Sequence, residues 1–189
     1  MLLENERVDP SADHNQAIRR ASKKGHTEIV KMLLEDDRVD PSSFSNDPIT
    51  YASRNGHTQI VKMLLENQRV DLTAGGNYAI RCASEEGHAE VVKILLEDER
   101  LDPSVDNHHT IRLASENGHA EVVKILLGDK RVDPSMDNNH AIRLASENGH
   151  AEVVKILLGD KRVDPSADNN HAIRLALKNG HTEVLKILL

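Results

Sequence analysis

The dipeptide Gly-His recurs at Gly25, Gly56, Gly87, Gly118, Gly149 and Gly180, and every interval is 31 residues. A fixed period of that length restricts the chain to a solenoid, in which one supersecondary unit is copied and stacked. The stretch from Asp137 to Ala167, D-N-N-H-A-I-R-L-A-S-E-N-G-H-A-E-V-V-K-I-L-L-G-D-K-R-V-D-P-S-A, shows the unit at its clearest. Each unit contacts only its neighbours, so the core is a continuous ribbon and the 189 residues form a single domain.

The units divide the chain into 13–43, 44–74, 75–105, 106–136, 137–167 and 168–189, preceded by 1–12, which matches the tail of a repeat. The first and last segments are expected to be cut from a longer array, or the chain to be a short gene copied out of one. The fifth unit predicts two short helices. The first runs from Ala141 to Asn148 and buries Ile142, Leu144 and Ala145 at helical spacing, and Gly149 closes it in the left-handed conformation. The second runs from Glu152 to Leu158, with Val153, Val154, Ile156, Leu157 and Leu158 on its apolar side and Glu152 and Lys155 outward. Pro165 then ends any helix and holds Asp164 extended. Helices of about eight residues are marginal in isolation, so stacking must supply their stability. In the second unit, Asp47 is expected to be an N-cap and Pro48 the first helical residue.

These residues resemble the ankyrin repeat family over essentially the whole chain. The segment E-N-G-H-A-E-V-V-K-I-L-L, Glu147 to Leu158, is nearly the family's G-H turn and second helix. The first half departs from it: H-A-I-R-L-A-S at His140 to Ser146 stands in place of T-P-L-H-L-A-A, with a trace of the original in Asp47-Pro48-Ile49-Thr50. The period is two residues shorter than the family's usual one, the deficit falling between Leu158 and Asp168. Such variants resemble those in large ankyrin arrays of protists and of the giant viruses that infect them. The resemblance implies an all-α ankyrin-repeat solenoid of stacked helix-turn-helix pairs with short finger turns. It also implies a protein–protein interaction module, a scaffold or adaptor that holds a protein partner on its concave face. The alternative is a substrate-recruiting part of a larger assembly such as a ubiquitin ligase.

Composition narrows the remaining classes. A net charge of −7, with basic residues interleaved among acids, argues against nucleic acid as the partner. The longest apolar runs are far too short to span a bilayer, no membrane partner is expected, and the acidic start M-L-L-E-N-E-R is unlike a signal peptide. The one cysteine, Cys82, excludes an internal disulfide framework and fits a reducing compartment. A cytoplasmic or nuclear location is expected, in the host cell if the chain is viral.

Of the 11 histidines, six belong to Gly-His pairs. Equivalent residues of successive units lie about 10 Å apart, the spacing of packed helices, and so cannot share an ion whose ligands lie about 2 Å away. His108, His109 and His140 have no Cys or carboxylate at a recognised spacing. No metal, no cofactor and no catalytic constellation is expected, and Gly75-Gly76 reads as a turn. The column Arg19, Arg81, Arg112, Arg143 and Arg174 is read as a ladder to Asp13, Asp106, Asp137 or Asp168 rather than as an anion-binding stripe. Cys82 is read as a partly buried packing residue.

Specificity is expected where the units disagree. All three aromatic residues, Phe44, Tyr51 and Tyr78, fall in units two and three, and aromatics anchor protein interfaces. The expected partner-binding residues are Phe44, Asn46, Tyr51, Arg54, Asn77, Tyr78, Glu85 and Glu86. The charge column before Gly-His (Lys23, Arg54, Glu85, Glu116, Glu147, Lys178) runs basic, acidic, basic; such banding is able to orient a ligand, although exposed charge on a solvated helix end is its commoner explanation. Unit six carries Leu177 where the others carry serine, so end-to-end self-association through that uncapped repeat is a further expectation.

Overall fold

The computed structural model describes residues 9–70, 72 and 77–189, and the backbone alone of Asp106 and Asn107. The expected repeat tail before residue 9 and the turn at Gly75-Gly76 lie outside the described residues. Among these residues the chain is all α, twelve helices without a strand. The first helices of the units are α1 (Ala12–Lys24), α3 (Ser43–Arg54), α5 (Tyr78–Glu85), α7 (Val105–Glu116), α9 (Met136–Glu147) and α11 (Ala167–Lys178). The second helices are α2 (Thr27–Leu34), α4 (Thr58–Glu66), α6 (Ala89–Leu96), α8 (Ala120–Leu127), α10 (Ala151–Leu158) and α12 (Thr182–Leu188). Each first helix pairs with its own second helix, and like stacks on like along the array.

The apolar columns of the sequence become the ribbon of core. Ile18, Ile49, Ile80, Ile111 and Ile142 are buried on the first helices, as are Val30, Val61, Val92, Val123 and Val154 on the second. Burying one such side chain contributes roughly 1.5–3 kcal/mol, and repeating it through units one to five offsets the marginal propensity of the short helices, whereas in unit six the counterparts Ile173 and Leu185 are only partly covered. In unit five, Ala141, Ile142, Ala145 and Ser146 are buried, whereas Leu144, expected in the core, is only partly covered.

The turn between helices is a Schellman motif built by Gly-His. Gly149 has φ 78°, and His150 N–H donates to Ala145 O at 2.9 Å, closing the end of α9 as the sequence predicts. Glycine is required there twice over. A Cβ on Gly118 would lie 2.6 Å from Nδ1 of His150 in the next unit, and equivalent contacts occur at Gly25, Gly56, Gly87 and Gly149.

The expected finger turns take a particular form. The first helices open with one left-handed turn: Asp137, Asn138 and Asn139 have φ of 53°, 57° and 60°, and Asp13–Asn15, Phe44–Asn46 and Asp168–Asn170 do the same. A left-handed L-residue costs about 1–2 kcal/mol, least for Asn and Asp, which accounts for the Asp-Asn-Asn run. The turn is held by its third residue: Oδ1 of Asn15 and of Asn139 each accept, at 2.8 Å, the N–H of Asp40 and of Asp164 in the connector of the same unit. His108 takes that place in unit four, its Nδ1 accepting from Asp133 N–H at 3.1 Å.

This turn also corrects the start of helix α3. Asn46 is still left-handed, so the right-handed turn begins at Asp47, which is therefore not an N-cap, and Pro48 is the second helical residue. Pro48 is tolerated because the N–H groups of a first turn have no intrahelical acceptor. The Asp47 carboxylate is turned instead toward Arg19 of the preceding unit.

Connector arginines complete the stack. Nη1 of Arg131 donates to Leu101 O at 2.8 Å and its Nη2 to Leu96 O at 2.9 Å, so one guanidinium closes the C-terminal end of the previous unit's second helix. Arg69 and Arg100 repeat this on Leu34 and Val39 and on Leu65 and Val70. Asp129, two residues earlier, grips the same guanidinium at 2.6 Å and fixes its direction. That grip holds the carboxyls of Asp98, Asp129 and Asp160 below the ordinary carboxylate value, and that of Asp36 at about 2. In the Asp-Pro-Ser connectors the serine hydroxyl and N–H bond to the aspartate, at 2.6 and 2.9 Å in Asp164–Ser166, and lower Asp9, Asp102, Asp133 and Asp164 likewise.

Candidate functional site: the exposed face of the first helices

On each first helix, residues spaced as 16, 19, 20 and 23 share the side left open once Ile18, Ala21 and Ser22 enter the core. Stacking lays these positions out as four parallel rows. The row of Arg19 is a ladder. Arg112 meets Asp137 of the next unit at 2.7 Å, and Arg143 meets Asp168 at 3.2 Å, the pairing expected from sequence. Arg19 departs from it, because the unit-start residue there is Phe44: Asp47 takes its Nη2 at 2.7 Å, and the Phe44 ring lies 4.1 Å from its guanidinium carbon. The proposed partner of Arg81, Asp106, lies outside the described side chains, and Arg174 donates to Asp168 O at 3.4 Å in its own unit.

His140 and His171 sit between the rungs. Nδ1 of His140 lies 3.4 Å from Nη1 of Arg112 and accepts from it, and burial together with the charges of Arg143 and Arg112 pushes the imidazole pKa down. Five of the Gly-His histidines hold the stack directly: Nε2–H of His57, His88, His119, His150 and His181 donates to the carbonyl 34 residues earlier, at 2.8 to 3.2 Å. Those bonds give the histidines a structural role. Among the described residues no group of three or more His, Cys, Asp or Glu side chains is arranged to hold a metal.

The residues expected to bind a partner divide into two groups. Phe44 and Tyr78 are 55% and 52% exposed despite their size. Each is braced by a cation: Arg19 with His14 edge-on at 5.3 Å for Phe44, and Arg81 at 5.0 Å for Tyr78. Tyr51 is half-buried with Lys23 Nζ 5.5 Å from its ring centre, and Arg54, Glu85 and Glu86 are exposed. Asn46 does not belong with them. It is 4% exposed, because the third residue of the left-handed turn points inward. Asn77, also left-handed, spends its amide on Asp102 O and so works as a staple.

Cys82 is fully buried rather than partly so, and its Sγ accepts from Nη2 of Arg54 at 3.0 Å. From sequence, Arg19 is named for the ladder and Lys23 for the charge column, but Gln16 and Arg20 are missed; these four, with Tyr51, enclose a recess of about 260 Å³ between units one and two. Their spacing of i, i+3, i+4 and i+7 was the available signal.

A stack of helix pairs with an open row of first helices defines the class: a repeat solenoid of the kind that is typically a non-catalytic interaction module. The family profile described as Ankyrin repeats (3 copies) matches residues 18–107 and 111–189, and the chain belongs to the ankyrin repeat family. Among solved structures it is similar to the human ASB11 ankyrin repeat domain, with a TM-score of 0.75 and 21% identity over 90% of this chain and 81% of that one. No curated protein sequence matches significantly. Proteins of this fold generally bind other proteins. No helix among the described residues is long and apolar enough to cross a membrane.

Proposed function

We propose that the chain is a scaffold or adaptor module that captures a segment of a protein partner along its concave face. The observation that carries this is the pair of exposed rings on units two and three, Phe44 and Tyr78, each stiffened by a stacked guanidinium. Rigid, half-exposed aromatics lose little freedom on binding and make good anchors. Tyr51, Arg54, Glu85 and Glu86 complete the proposed contact surface.

The test starts from a partner recovered by affinity capture from the native cell and identified by mass spectrometry. The double variant Phe44→Ala/Tyr78→Ala is expected to weaken its binding at least tenfold while the thermal melt stays cooperative. Unchanged affinity would remove the proposal. The same face would serve a substrate-recruiting part of a ubiquitin ligase, and ligase subunits recovered together with the partner would mark that role.

A further inference from the structure

Charge along the open face is segregated. At the unit one–two junction, Arg20 and Lys23 line the 260 Å³ recess. Arg19 on its wall is already engaged by Asp47 at 2.7 Å. Arg20 makes no ion pair among the described residues, and Lys23 leans on the Tyr51 ring at 5.5 Å without an acidic partner. Two units further on the sign reverses, with Glu85, Glu86 and Glu116 exposed.

We propose that the recess binds the carboxylates of an acidic pair in an extended partner segment, and that the Glu85–Glu116 ledge receives a basic residue of the same segment. This rests on the concave-face reading above and names the chemistry it selects. Arg20 offers a two-pronged donor to a carboxylate and Lys23 a movable point charge, while the Tyr51 ring supplies a flat apolar wall. A dianionic phosphate fits less well, because it concentrates its charge at one point beside the Asp47 carboxylate that already occupies Arg19, whereas two carboxylates divide theirs between Arg20 and Lys23. Successive units are about 10 Å apart, so the recess and the ledge are separated by about 20 Å. An extended chain advances about 3.3 Å per residue. The basic residue is therefore placed about six positions from the acidic pair.

The test is selection of random 12-residue peptides displayed on phage against the immobilised full chain. Winners are re-measured by fluorescence anisotropy on the parent, on Arg20→Ala/Lys23→Ala and on Phe44→Ala/Tyr78→Ala, each checked by circular dichroism. The expected winners carry two acidic residues with Lys or Arg about six positions away, and lose at least tenfold in affinity on Arg20→Ala/Lys23→Ala. Winners without an acidic pair, or unaffected by that variant, overturn the proposal. If such winners still weaken on Phe44→Ala/Tyr78→Ala, the concave-face reading stands alone; if they are indifferent to both variants, both readings fall. A phosphoserine version of a winner that binds at least tenfold tighter than its acidic parent reassigns the recess to phosphate and overturns the carboxylate assignment.

Discussion

The contact between Gly118 and His150 can be isolated by a double-mutant cycle. Gly118 has φ 77°, and a Cβ there would lie 2.6 Å from Nδ1 and 2.7 Å from Cε1 of His150. Gly118→Ala therefore carries two separable penalties. The left-handed backbone costs an alanine about 1–2 kcal/mol wherever the ring is. The methyl group also drives the imidazole off its 2.8 Å bond to Glu116 O, a loss of about 1 kcal/mol with some packing besides. The single variant should lose about 2–4 kcal/mol. In a His150→Ala background the ring is gone and only the backbone penalty remains. The two changes should accordingly fall short of additivity by about 1–2 kcal/mol, well above the scatter of independent sites. The assay is urea denaturation of all four proteins followed by circular dichroism, with a second probe to confirm a single transition. Additivity within about 0.5 kcal/mol would refute the claim that glycine is required by the neighbouring unit as well as by its own turn.

Three further outcomes follow from the same contacts. Arg131→Lys keeps the charge but cannot hold Leu101 O, Leu96 O and Asp129 together; it should lose about 1–2 kcal/mol in urea at unchanged m-value, since an ammonium lacks the planar fork. Asn139→Ala removes the acceptor for Asp164 N–H at 2.8 Å and places a less tolerant residue at φ 60°, so a loss of about 2–3 kcal/mol is expected, with Asn139→Gly recovering the backbone share. In a pH series of thermal melts, the depressed carboxyls of Asp36, Asp98, Asp129 and Asp160 should hold stability constant above their unfolded value of 3.8 and release it as pH falls below that value, the Asp36 share down to about 2. His140, whose pKa is lowered, should add a smaller decline that begins near its unfolded value of 6.5; a melt flat from pH 7 to 2 would contradict both.

The repeat, the Gly-His closure and the core columns were legible because hydrophobic period and glycine placement report directly on local geometry. The left-handed turn was not. Asp137-Asn138-Asn139 is polar whether it lies on a binding rim or opens a helix, so its letters alone do not mark the turn, and Asn46, expected at the interface, points inward. Only the tolerance of Asn, Asp and His for positive φ distinguishes the two, and Phe44 at φ 53° hides even that. The connector arginines were visible as letters, but their acceptors lie 30 and 35 residues back and are joined to them only by stacking. The recess has the same character. Its spacing on α1 could be read, yet only the stacked structure shows that Asp47 reaches across to Arg19 while Arg20 and Lys23 make no ion pair among the described residues.

The hydrogen bonds that tie the array together span 25 to 35 residues, from Arg112–Asp137 to Arg131–Leu96, at every level of the stack. Sequence separation between partners thus does not grow as units are added. Relative contact order falls with length, and a nucleus formed from any pair of neighbouring units would meet the same loop-closure entropy in a short array as in a long one. Growth from that nucleus is a zipper in either direction, and the reverse step, fraying of one end unit, breaks a single interface while the rest stays folded.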